Sequence, residues 1–275
     1  MSEAINSKGN FEPIHNAHSI EQVLFAIQFE IPLNDTLLSK IRNIALEFKQ
    51  DGSLPAINDI QGFTINMGQG PIPSQNGFML YKTRTDGIIE KELRVERNIV
   101  TFRTTHYSRW KDIWSEAEKY FSALIPLFCS NSKITGIGLN YFDKFVWSGS
   151  IQECRSDALF NRNSKYLCPY IFTNEDLWHV HTGAFIRVNN QTKRLININI
   201  DSFDENLNGD TRRVFVIATV ITDQFNQINY DPFAFEEDQI IEGIKLKFTD
   251  LHSYGKNVLA DIINYNMSKR IALIE

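Results

Sequence analysis

Residues 137–145, reading Ile-Gly-Leu-Asn-Tyr-Phe-Asp-Lys-Phe, alternate apolar and polar positions and end in a charged pair, which is the period-two pattern of a strand with one buried face. The same alternation returns at 20–29, 57–67, 78–83, 88–105, 177–188, 195–203 and 213–225. The links between several of these runs are short: Asp86-Gly87, a turn near Arg97-Asn98, and the segments 189–193 and 205–210. Parallel pairing needs a long crossover, so strands joined this closely must pair antiparallel.

Three stretches switch to helical spacing. After Pro32, Asn34 or Asp35 can cap a helix whose Leu37, Leu38, Ile41, Ile44, Ala45 and Phe48 form one stripe, ended at 50–53. Ser108 can cap a second helix carrying Trp110, Ile113, Trp114, Ala117, Phe121, Leu124 and Phe128, which Pro126 should kink or finish. A long third helix is predicted over 236–265, with Ile240, Ile244, Phe248, Leu251, Val258, Leu259 and Ile262 on one face and Glu236, Glu237 and Asp238 suiting its N-terminal dipole. Gly243 and Gly255 inside it cost about 1 kcal/mol each relative to Ala, which marks them as packing notches.

The expected architecture is α+β, with antiparallel β-sheets packed against three main helices. Residues 148–176 lack clean periodicity, hold at most one short helix and offer the best boundary between two subdomains. The expected organisation is a flexible arm over 1–18, an N-terminal α+β subdomain over 19–147, and an antiparallel sheet plus long helix over 148–275. No fixed-period repeat is present.

Composition narrows the function classes. The chain is 43% hydrophobic with 20 Phe, enough to bury a core, and its net charge of -5 argues against phosphate-driven binding to nucleic acid. Cys129, Cys154 and Cys168 are odd in number and match no zinc spacing, which fits reduced thiols in a cytoplasmic protein. The opening Met-Ser-Glu-Ala-Ile-Asn-Ser-Lys carries no export or lipidation signature, and the apolar run 214–221 falls far short of the ~20 residues of a membrane helix. No membrane association and no cofactor are expected.

The run 16–29, Asn-Ala-His-Ser-Ile-Glu-Gln-Val-Leu-Phe-Ala-Ile-Gln-Phe, together with 137–145, resembles a sporadically distributed bacterial family of uncharacterised proteins. That family opens with an N-A-P-x-x-E-A strand, has a central G-L-R-Y-I-N-R strand and ends in a helix with an L-H pair. Tyr107-Ser108-Arg109-Trp110, Ile198-Asn199-Ile200-Asp201 and Leu251-His252 fall in order with further family elements. The chain departs from the pattern at His18, Asn140 and Asp143-Lys144, where the family has Pro, Arg and Asn-Arg. The resemblance implies an α+β domain of bacterial origin and leaves its activity open.

Several residues invite a functional reading. His179-Val180-His181 puts two imidazoles on one strand face ~6–7 Å apart, a metal candidate that needs a third ligand such as His106, Asp201 or His252; the plain alternative is a polar strand face. His106-Tyr107-Ser108 matches one half of a two-histidine phosphoesterase arrangement whose second half is missing. Glu242-Gly243-Ile244-Lys245 is ordinary helical charge pairing rather than a nuclease signature, and Gly68-Gln69-Gly70 lacks the Lys-Ser/Thr of a phosphate loop. Cys129, at a helix C-terminus, is poorly placed for a thiolate. Glu21, inside an apolar run, calls for a cationic partner such as Lys144, and His252 reads as a hydrogen-bonded helix histidine. Trp110, Trp114, Tyr141, Phe145 and Trp178 are the candidates for an aromatic pocket between sheet and long helix.

The expected role is a non-catalytic binding or interaction protein of the bacterial cytoplasm, with a protein partner or a homodimer. The family's patchy distribution suggests an accessory part in phage defence or a toxin-antitoxin module. The alternatives are a small-molecule sensor using the aromatic pocket, and a metal-dependent hydrolase or nuclease.

Overall fold

The computed structural model describes residues 9–64, 72–207, 209–225 and 239–274, apart from the side chains of 63, 64 and 72–74. Along them run β1 (Phe11–Pro13), β2 (Ile20–Phe29), α1 (Asp35–Gln50), β3 (Ala56–Thr64), β4 (Ile72–Thr83), β5 (Ile89–Glu96), β6 (Ile99–Thr104) and α2 (Trp110–Cys129). They are followed by β7 (Ile134–Trp147), β8 (His179–Arg187), β9 (Thr192–Leu207), β10 (Asp210–Phe225), α3 (Ile240–Ile262) and α4 (Tyr265–Arg270). All ten strands form one antiparallel sheet in the order β3-β4-β5-β6-β2-β7-β10-β9-β8, with β1 continuing the row of β2 along β7.

This corrects the expected fold, in which separate sheets packed on three main helices. A single sheet dominates the molecule because β7 is shared: it pairs with β2 from Ile20↔Asp143 to Phe29↔Ile134 and with β10 from Val214↔Val146 to Gln224↔Gly136. Alternation along a strand says which side chains share a face, but it does not say which strand lies alongside.

Smaller differences have local causes. Residues 72–77, between the alternating runs 57–67 and 78–83, extend β4, while 65–71 lie outside the described residues. Ser108 does not cap α2: its hydroxyl lies 3.0 Å from Asp112 Oδ2, and the helix begins after Arg109. The segment 148–176 holds three short 3-10 turns rather than at most one helix. The last helix breaks at Ile263, and Asn264 caps α4 by accepting from the Met267 amide; the acidic residues 236–238 lie outside the described residues. Phe11–Pro13, within the expected arm, pair with β7, and Arg270 donates to the Phe11 carbonyl at 3.1 Å.

Helices α1, α2 and α3 lie side by side on one sheet face, α1 against α2 and β4, α2 against α3, and α3 against β7 and β10. Phe25 of β2 gathers the rings of Phe102, Trp110, Trp114, Phe121 and Phe248 into a core that joins all three helices to the sheet. A second cluster centres on Phe215, with Phe11, Phe160 and Trp178, under the C-terminal part of α3. Arg194 of β9 donates to both oxygens of buried Asp223 on β10 and to Asp250 of α3, which fixes that helix to the sheet. Among the described residues, no helix is long and apolar enough to cross a membrane.

Candidate ligand-binding site

The alternation of β7 turns Leu139, Tyr141, Asp143 and Phe145 toward the helices. Three of these positions are apolar or aromatic, whereas Asp143 places a carboxyl there with only 2% exposure. Ser19, just ahead of β2, donates its hydroxyl to Asp143 Oδ1 at 2.7 Å. Burial disfavours the charged form and pushes the carboxyl up to about 7, against the opposing effect of the Ser19 bond. Asp143 therefore changes charge near neutrality.

Across from β7, His252, Gly255, Lys256 and Leu259 recur at three- and four-residue spacing on α3 and so share one stripe. The His252 imidazole stacks on Trp110 of α2, and its Nδ1 lies 2.8 Å from the Tyr141 hydroxyl. Burial, then the charge of Lys256, lowers the imidazole to about 4, while burial holds the Tyr141 phenol well above its ordinary range. A protonated phenol beside a neutral ring makes Tyr141 the donor and Nδ1 the acceptor. A Cβ at Gly255 would stand 3.3 Å from Ile221 Cδ1 and 3.7 Å from the Tyr141 ring, so this glycine is the notch that lets α3 approach the sheet.

The chain ahead of β2 and α2 closes a third side. His18 Nε2 donates to the Tyr107 carbonyl at 3.1 Å, and burial followed by neighbouring His15 lowers this imidazole as well.

Between these walls lies a cleft of about 250 Å³, bordered by Ser19, Tyr107, Trp110, Asp143, His252 and Leu259. It shares Asp143, His252 and Leu273 with a recess of about 40 Å³ that Tyr141, Thr219 and Gly255 also line. The Thr219 hydroxyl in this recess is buried with no hydrogen-bond partner among the described residues. Arg109 and Lys256 stand at the exposed margin, and neither side chain makes a hydrogen bond or ion pair among the described residues. The arrangement offers an apolar, ring-walled space with a titratable carboxyl and a free hydroxyl inside and two cations outside.

Of the five aromatic candidates, the structure brings Trp110 and Tyr141 to this cleft. Trp114 is embedded in the core with Phe25 and Phe248, while Phe145 and Trp178 belong to the cluster around Phe215. Glu21 lies on the sheet face opposite the helices instead of facing the core, with Lys144 Nζ 3.2 Å away; Lys144 also pairs with Glu205. His179 Nδ1 donates to Asp201 at 2.5 Å, and His181 Nε2 bonds to Asn197 at 2.7 Å. Among the described residues, no group of three or more His, Cys, Asp or Glu side chains forms that could hold a metal ion.

Thr219 and Lys256 are cleft residues that sequence reasoning passed over, while Asp143 and His18 entered it as departures from the family pattern and not as pocket residues. The signal for Asp143 was parity, since it lies two positions after Tyr141 and two before Phe145. Lys256 follows His252 by one helical turn. Thr219 carried no signal of its own, because a threonine in a strand is ordinary. No protein-family model and no curated protein matches the chain.

Proposed function

We propose that the protein is a binding protein whose ligand is a compact organic acid with a largely apolar body, held in the cleft over Asp143. Thr219 carries this reading. A buried hydroxyl without a partner among the described residues costs about 1–3 kcal/mol, a cost that a bound polar group removes. The cleft volume of about 250 Å³ lies just below the range of about 300 to 1,000 Å³ for drug-sized ligand sites, which restricts the ligand to a compact one.

The roles follow from position. Trp110, His252, Leu259 and Leu273 receive the apolar body, Asp143 and Thr219 meet a polar group at its inner end, and Arg109 and Lys256 meet the acid group outside. The test is a thermal-shift panel of small aliphatic and aromatic carboxylates against their amides. Carboxylates should raise the melting temperature and amides should not. The Arg109→Ala/Lys256→Ala double variant should lose the response while melting as the parent does. If no carboxylate shifts the parent, and native mass spectrometry of protein from its own cells shows no bound small molecule, the reading is wrong.

A further inference from the structure

The two ends of the sheet are built differently. At one end, the pairing of β3 is interrupted by a register shift between Ile60 and Gln61, and its Asp59 is held by Arg42 of α1. Bulges and charges of this kind blunt an edge against other chains. At the other end, β8 pairs with β9 in unbroken register from His179↔Asp201 to Arg187↔Lys193, and its outer side meets no strand among the described residues. No proline interrupts it. Of the nine exposed large hydrophobic residues among those described, four, Leu177, Phe185, Ile186 and Val188, lie on β8 or just beyond its ends, with Phe185 64% exposed.

The charges along this edge are polarised. At its C-terminal end Arg187 stands directly opposite Lys193, and neither side chain has a hydrogen bond or ion pair among the described residues. At its N-terminal end stands Asp201, half-exposed and bonded to His179. Like charges directly opposite destabilise a strand pair, so the cationic end lacks a counter-charge.

We infer that β8 pairs antiparallel with β8 of a second copy of this chain, about a two-fold axis at Gly183, joining the two sheets edge to edge. A two-fold is what an edge with opposite charges at its two ends calls for, because antiparallel self-pairing sets each end against the other. With Gly183 at the axis, Arg187 faces the second copy's His179 and its Asp201, Ile186 faces Val180, and Phe185 faces His181. Shifting the axis by one residue carries Arg187 two positions away from His179, so charge selects this register. This surface is separate from the cleft and does not depend on the ligand proposed there.

Sedimentation velocity of the full chain over a wide concentration range tests the inference. The parent should form a dimer, and Phe185→Lys/Ile186→Lys, at two exposed positions that leave the fold and its circular dichroism unchanged, should be monomeric. Arg187→Asp alone and Asp201→Arg alone should each weaken the dimer about tenfold or more, and the two together should restore it. A parent that is monomeric throughout, a dimer indifferent to either single reversal, or a double variant that stays weak would each overturn the inference. So would association in which the β8 edge is taken by a different protein in place of a second copy.

Discussion

The imidazole of His252 lies parallel to the indole of Trp110, with ring centroids 4.2 Å apart and planes 1° from parallel. This stack ties α3 to α2 directly above the sheet, and the Tyr141 hydroxyl anchors its lower ring to β7. Three elements distant in sequence thus fix one wall of the cleft, and the same contact excludes water from the imidazole.

Removing the indole should therefore change both stability and titration. Trp110→Ala loses the stack and opens a space against Phe25, which should cost about 2–4 kcal/mol in a denaturant titration. With its shielding gone, His252 should titrate upward from about 4 toward its ordinary 6.5, read by NMR of the imidazole protons. An unchanged titration would mean that the stack is not what dries the ring.

Asp143 and His252 pull the pH dependence of stability in opposite directions. The Asp143 carboxyl rises from 3.8 to about 7 on folding, so its contribution is fully present below 3.8 and is lost as pH rises toward 7. His252 falls from 6.5 to about 4, so its contribution is present above 6.5 and is lost as pH falls toward 4, with His18 shifted in the same sense. Each slope approaches about 1.4 kcal/mol per pH unit, and the two largely cancel between about 4 and 6.5. Asp143→Asn should unmask stability that rises with pH across that window, and His252→Gln stability that falls across it. Urea unfolding at several pH values checks both; parallel profiles for parent and Asp143→Asn would reject the assignment.

How far the sequence could be read depends on the range of the forces involved. Strand β2, helix α1 and the Asn34 cap were legible because periodicity and capping are local. The single sheet was not, since it depends on β7 having neighbours from both halves of the chain. β1, three residues long, is too short to show a period, and the break at Ile263 sits inside an apolar stripe that continues through it. Parity along β7 put Tyr141 and Phe145 on the same face, yet the strand is long enough for them to enter different clusters. Asp143 had the same parity but looked like an ordinary charge near a strand end.

The Arg194 network should divide unequally between its two carboxylates. Asp223 is fully buried and takes two bonds from the guanidinium, so Asp223→Ala leaves the buried cation with only its bond to Asp250 and should cost about 3 kcal/mol. The Asp250 side chain is 58% exposed, and Asp250→Ala should cost about 1 kcal/mol or less. Equal losses in equilibrium unfolding would show that the tie to α3, not the buried pair, is what matters.

Thr219 separates stability from binding. Its side chain borders the recess, and its hydroxyl has no partner among the described residues. Thr219→Val keeps the shape and removes only the orphaned group, so the ligand-free protein should gain about 1 kcal/mol or more in unfolding free energy. A ligand that bonds this hydroxyl should bind the variant more weakly, by roughly the tenfold that one neutral hydrogen bond is worth. The combination matters, because most core substitutions lose stability, and a residue present only for packing would not lower affinity when replaced by its isostere. Unfolding of the free variant, set beside the affinity of the best carboxylate from the thermal-shift panel, gives both readings. A stabilised variant with unchanged affinity would remove Thr219 from the binding site, and a destabilised variant would show that its hydroxyl is satisfied in the folded protein.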